Sequence, residues 1–224
     1  MFSTDRSFRL AAVLAAGLGL ASMASAGPPL ICHPFTTGTG ALLLPWAEGT
    51  NNWHLPDLGY DRANLVADTL SLLATDAPIL DRMENMRRAA IYADENPAIA
   101  AELLRAVVER TKTKPADARA EALEWFDAGY LVETYRQLGL IYQHKMLPSQ
   151  NRWTSLVPEE LAELDGYALV QKAVALAPAS QAELDFASAL MSREPLTATH
   201  LRRAASSAAA GSLLAQNLVH YDVR

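Results

Sequence analysis

ILDRMENMRRAAIYADENPAIAAELLRAVVER, residues 79–110, decides the fold class. Ile79, Met83, Met86 and Ala90 recur at steps of three and four, the spacing that lines one face of a helix. Asn96-Pro97 then opens a second helix. The asparagine side chain caps free backbone N–H groups, and proline suits a first turn where its missing N–H is not needed. Ile99, Leu103 and Val107 share one face of that helix. Only Asp94-Glu95-Asn96 separates the two runs, so they must fold back on each other as a hairpin.

The same grammar extends in both directions. Leu65, Leu72 and Leu73 begin the helical pattern near Asp61, and Pro115 marks the start of a helix carrying Leu123, Phe126 and Tyr130. Pro158 followed by Glu159-Glu160 predicts another start, because acidic groups favour the positive end of a helix. Ser180-Gln181-Ala182-Glu183 has the form of a capping box. Two further runs lie around residues 201–209 and 213–219, and no stretch alternates with the period of a strand. Residues 61–224 are therefore expected to form an all-α domain of antiparallel helical hairpins.

Gly129-Tyr130-Leu131-Val132 returns as Gly166-Tyr167-Ala168-Leu169-Val170. With Lys172-Ala173, Ala175-Leu176-Ala177-Pro178 and Glu183 to Leu190, the second copy resembles a tetratricopeptide repeat (TPR). Arg88 to Leu104, with Ala90, Tyr92, Pro97 and Ala101, is similar over a second unit. The resemblance implies small residues where two helices approach closely, and a proline closing each unit. A TPR-like array and a plain helical bundle both remain open. Ile31-Cys32-His33-Pro34 and Trp125-Phe126-Asp127-Ala128-Gly129-Tyr130 also resemble stretches of uncharacterised exported bacterial proteins.

Residues 27–60 read differently. Pro28, Pro29, Pro34, Pro45 and Pro56 forbid a regular helix, yet Leu42-Leu43-Leu44, Trp46 and Trp53 are too apolar for a solvated tail. An irregular arm rich in Pro, Gly and Trp, packed against the helical body, is the expectation. Ahead of it, residues 1–26 have the build of a secretory signal peptide. Arg6 and Arg9 precede an apolar run from Leu10 to Leu20, and Ala24-Ser25-Ala26 fits a signal peptidase, with cleavage after Ala26. A periplasmic or extracellular protein is expected, with no membrane attachment after cleavage.

The leader carries Arg6, Arg9 and Asp5, so the 19 basic and 25 acidic residues of the chain become 17 and 24, a net charge of −7. That balance argues against nucleic acid, which needs clustered Lys and Arg. A single cysteine, Cys32, forms no disulfide within the chain, and stability must come from core burial.

Four groups of residues bear on function. Cys32-His33 pairs a thiol with an imidazole, the donors of copper or zinc, but neighbours in an extended chain point to opposite sides. A small buried thiol is the plainer expectation. Glu124 and Asp127 lie three apart on one helix, which suits an acid–base pair and equally suits a solvated face. Trp125, Tyr130, Glu133 and Tyr135 concentrate aromatic and polar groups on that same helix, as partner-binding surfaces and core helices both do. The loop Thr36-Thr37-Gly38-Thr39-Gly40 lacks a P-loop lysine, and no hydrolase motif is present. No cofactor is expected. Two functions follow: an exported, non-enzymatic binding or assembly module for a protein or peptide partner, or a secreted enzyme or metal-binding protein using Cys32/His33 or Glu124/Asp127.

Overall fold

The computed structural model describes residues 33–47, 55–74, 76–115, 117–143 and 156–221. The leader, Cys32 and Trp53 lie outside the described residues. Eight α-helices and no strand are found among those described: α1 Leu65–Leu73, α2 Ile79–Ala93, α3 Pro97–Arg110, α4 Ala118–Gln143, α5 Gly166–Leu176, α6 Gln181–Met191, α7 Leu196–Ser207 and α8 Leu213–Leu218. Consecutive helices pack as hairpins, most extensively α4 with α5 and α6 with α7. No helix among the described residues is long and apolar enough to cross a membrane.

Local signals explain most boundaries. Asn96 caps α3, its side chain accepting from the N–H groups of Ala98 and Ile99, with Pro97 in the first turn. Two expected starts behave otherwise. After Pro158 the chain makes only a single 3-10 turn, Glu159–Leu161, and α5 begins later, capped by Asp165. Arg136 of α4 accounts for the delay: its guanidinium takes the carbonyls of Ala162 and Leu164, which a continuing helix would need for its own N–H groups. Ser180 makes no capping bond either, because the 3-10 turn Pro178–Ser180 leads directly into α6 and its Pro178 carbonyl accepts from Gln181 N–H.

Two helices form the middle of the body. Along α4, Ala122, Leu123, Phe126, Asp127, Ala128, Tyr130, Leu131, Val132, Thr134, Tyr135 and Leu138 are buried, so the helix is enclosed on all sides through its centre. The two copies of the Gly-Tyr motif meet where α4 crosses α5. A Cβ on Gly129 would stand 2.5 Å from the carbonyl oxygen of Gly166, and one on Gly166 would stand 2.5 Å from that of Gly129. Only glycine permits that approach. In α2, every residue except Arg88 is buried, including Asp81, Arg82, Glu84, Asn85 and Arg87.

Residues 33–47 form the arm, which lies along α2 and reaches α8. Phe35 and Leu44 are its deep anchors, both in the core. The Phe35 ring meets Phe186 of α6 edge-on at 6.1 Å, and Trp46 meets Tyr92 of α2 at 5.8 Å.

Candidate functional site

Side chains of α2 grip the arm by its main chain. Asp81 accepts the Gly38 N–H at 3.3 Å and Glu84 accepts the Phe35 N–H at 3.0 Å. Asn85 makes two bonds at once, accepting from Leu44 N–H at 2.9 Å and donating to Leu42 C=O at 3.0 Å. Arg88 donates to the Leu44 carbonyl and Tyr92 donates to that of Pro45 at 2.7 Å. Residues 81, 85, 88 and 92 follow the three-and-four spacing of one helix face, so a single stripe addresses a chain that runs open on either side of a turn, closed by Ala41 N–H to Gly38 C=O with Gly40 at a positive φ. Asn217 of α8 repeats the two-bond clamp on Thr36, with N–H and C=O each at 2.9 Å. An amide side chain offers one donor and one acceptor side by side, as a neighbouring strand would. Most of the recognition is thus directed at backbone, and side-chain selectivity comes from the Phe35 and Leu44 anchors and from Trp46, which lies under Arg87 at 4.9 Å.

Charge balance keeps this stripe intact. Burial pushes the Glu84 carboxyl up, but Arg87 and Arg88, at 2.8 and 2.7 Å, outweigh it and hold the group below the ordinary glutamate range. Asp81 is pushed up by burial, with only the Gly38 N–H opposing.

On the other side of α2, Arg82 donates to Asp127 of α4 at 2.6 Å and Arg110 of α3 donates to the same oxygen at 3.1 Å. Both arginines also hold the Leu73 carbonyl at the end of α1, each at 3.0 Å. They wall a cavity of about 350 Å³ with Asp76, Asp117, Leu123 and Glu124. Burial raises the Glu124 carboxyl, opposed by Arg110, and it raises Asp127 against both guanidiniums. Glu124 and Asp127 therefore do not face one cleft as a matched pair: Asp127 is enclosed and committed to two cations. A third polar cluster joins α5, α6 and α7, with His200 bonded to Asp185 at 2.7 Å through Nδ1 and to the Tyr167 hydroxyl at 2.8 Å through Nε2.

The aromatic helix divides. Tyr130 and Tyr135 are fully buried, and their hydroxyls have no partner among the described residues. Glu133 is mostly covered, pairing with Arg136 and accepting the Gly166 N–H. Trp125, like Glu133, is partly exposed, with the Lys172 ammonium 3.2 Å from its ring centre. Those four residues present no common surface, because Tyr130 and Tyr135 are wholly buried inside the body. His33 is exposed, and no group of three or more His, Cys, Asp or Glu is arranged for a metal among the described residues.

Sequence reasoning missed Asp81, Glu84, Asn85, Arg88, Tyr92 and Asn217. One signal was available: the polar residues of α2 recur at helical spacing as a stripe of their own, beside a Pro-rich segment that needs partners for its backbone. Compared with known proteins, the chain matches no family model, no curated protein and no solved structure.

Proposed function

We propose that the protein is an exported, non-enzymatic binding or assembly module that takes an extended protein or peptide segment into the groove between α2 and α8. The observation that carries this reading is the pair of asparagine clamps, Asn85 and Asn217, each bonding a backbone N–H and a backbone C=O of the arm on either side of its turn at Gly40. Side chains that read backbone hold an extended ligand with little dependence on its sequence, the logic by which peptides add to a sheet edge. Residues 33–47 fill the groove and define what fits it: an aromatic residue and a leucine nine positions apart, with an uncharged chain between. The leader supports export, and the glycine crossing of α4 and α5 supports the TPR-like view of the hairpins. The enzymatic alternative draws less support, because both guanidiniums at Asp127 occupy the carboxylate a catalytic pair would need.

Phe35→Asp should free the groove from its own arm. A labelled peptide of residues 33–47, added to that variant, is expected to bind with a clear rise in fluorescence anisotropy. The same peptide with Phe35 and Leu44 replaced by serine should not bind. If the folded variant ignores the intact peptide, the groove is a packing surface only.

A further inference from the structure

We propose that the cavity where α1, α2, α3 and α4 meet binds a small zwitterion, a free α-amino acid with an apolar side chain, its carboxylate on Arg110 and its ammonium on Glu124. This site lies across α2 from the arm groove and does not depend on how that groove is used.

Three features of the wall point to this ligand. The first is a fixed cation with unspent donors. Arg110 donates from Nη1 to Asp127 at 3.1 Å and from Nη2 to the Leu73 carbonyl at 3.0 Å. Those bonds hold the guanidinium in place, yet it carries five N–H groups. The others, Nε–H among them, have no partner among the described residues. A guanidinium fork already held in position suits a carboxylate.

The second feature is a carboxyl with nothing bonded to it. Glu124 lines the same cavity, and its oxygens have no hydrogen-bond or ion-pair partner among the described residues. Arg110 attracts this carboxyl without closing an ion pair, and burial pushes it up. Two opposite charges thus face one space without touching. A ligand carrying a carboxylate and an ammonium closes both gaps, and the ammonium restores the stabilisation that burial takes from charged Glu124.

The third feature is the balance of charge and shape. Asp127 accepts from both Arg82 and Arg110, so these three leave one positive charge, which Glu124 offsets. Asp76 pairs with Arg119 at 2.8 Å, and Asp117 accepts the Arg119 N–H at 3.0 Å where α4 begins. A plain amine would face two arginines, and a plain carboxylate would face Glu124 and Asp117. A ligand without net charge avoids both conflicts. The volume of about 350 Å³ falls at the small end of pockets that enclose organic ligands. Leu73, Ala120 and Leu123 supply an apolar side for the amino acid's own side chain.

Calorimetric titration of full-length mature protein with L-alanine, L-valine and L-leucine tests this. At least one should bind with a Kd of about 1 mM or tighter. The tightest is then compared with its decarboxylated amine and its deaminated acid, and each should bind about tenfold more weakly. Glu124→Gln should weaken the amino acid about tenfold and should not weaken the deaminated acid. Arg110→Lys keeps a cation beside Asp127 but removes the fork, and it too should weaken the amino acid about tenfold. If Arg110→Lys does not fold by circular dichroism, the Glu124→Gln comparison decides alone. The proposal is overturned if none of the three amino acids binds, or if Glu124→Gln leaves the amino acid's affinity unchanged. It is equally overturned if the amine or the acid binds as tightly as the amino acid, since the cavity would then recognise a single charge.

Discussion

Two residue-scale contacts set the tolerance of the core, and they differ in how visible they were beforehand. Gly129 and Gly166 announced themselves as the shared first letter of a repeated motif, and each lies where the other's carbonyl leaves no room for a Cβ. Gly166→Ala should therefore destabilise the protein by about 1–3 kcal/mol, the usual cost of forced overpacking. Gly40→Ala, at a positive φ of 81° with open space around it, meets backbone strain alone and should cost about 1–2 kcal/mol. Urea unfolding of both variants checks the order, and equal losses would mean that α4 and α5 shift apart freely. Arg82 gave no comparable signal. A charged residue on an amphipathic helix ordinarily marks the solvated face, and nothing in the sequence tells that α3 and α4 close over it. With Arg82 fully enclosed beside Asp127, Arg82→Met should cost about 3–5 kcal/mol, because the carboxylate loses one of its two cations in the interior. A loss near zero would show that Arg110 neutralises Asp127 alone.

At the scale of elements, the arm and α2 behave as one unit, and their coupling should be sensitive to acid. Glu84 titrates below the ordinary glutamate value of about 4.3 in the folded protein, so its contribution is fully present above that pH. The contribution is lost as pH falls through the lower, folded value. Its carboxylate accepts the Phe35 N–H, so the first half of the arm should loosen there. Asp81 opposes this in part: its raised pKa makes protonation favour the fold. Hydrogen exchange at the Phe35 amide should accelerate sharply in acid relative to Leu44, whose partner Asn85 does not titrate. Glu84→Gln should remove that difference, and its persistence in the variant would assign the effect elsewhere. Helix types and the α2–α3 hairpin were legible because periodicity and caps are local. That the Pro-rich arm packs on the body was legible from its apolar residues, but where it docks was not, because Asn85 and Asn217 act across 41 and 181 residues of chain. The aromatic stripe of α4 was ambiguous for a related reason: Tyr130 and Tyr135 look alike whether the covering surface is a partner or the rest of the body, which here buries both completely.

For the whole molecule, the arm determines whether the body unfolds in one step. Nearest-neighbour hairpins alone would let a helical array fray from its ends, since each unit contacts chiefly the next. Here the arm bonds to α2 near the beginning and to Asn217 of α8 at the far end, and Phe35 packs on Phe186 of α6 between them. The terminal helix is thereby tied to the central one. Opening α8 breaks the Thr36 clamp, and that frees the Phe35 anchor that α2 and α6 share. The expected outcome is one cooperative transition, in which amides of the arm, α4 and α8 exchange with the same free energy as global unfolding measured by denaturant. Asn217→Ala should uncouple them: α8 and residues 33–38 should exchange faster than α4, while Leu44, still clamped by Asn85, stays close to the global value. If α8 already frays independently in the wild-type protein, the arm fastens only to α2, and the Asn217 clamp contributes nothing to closing the fold.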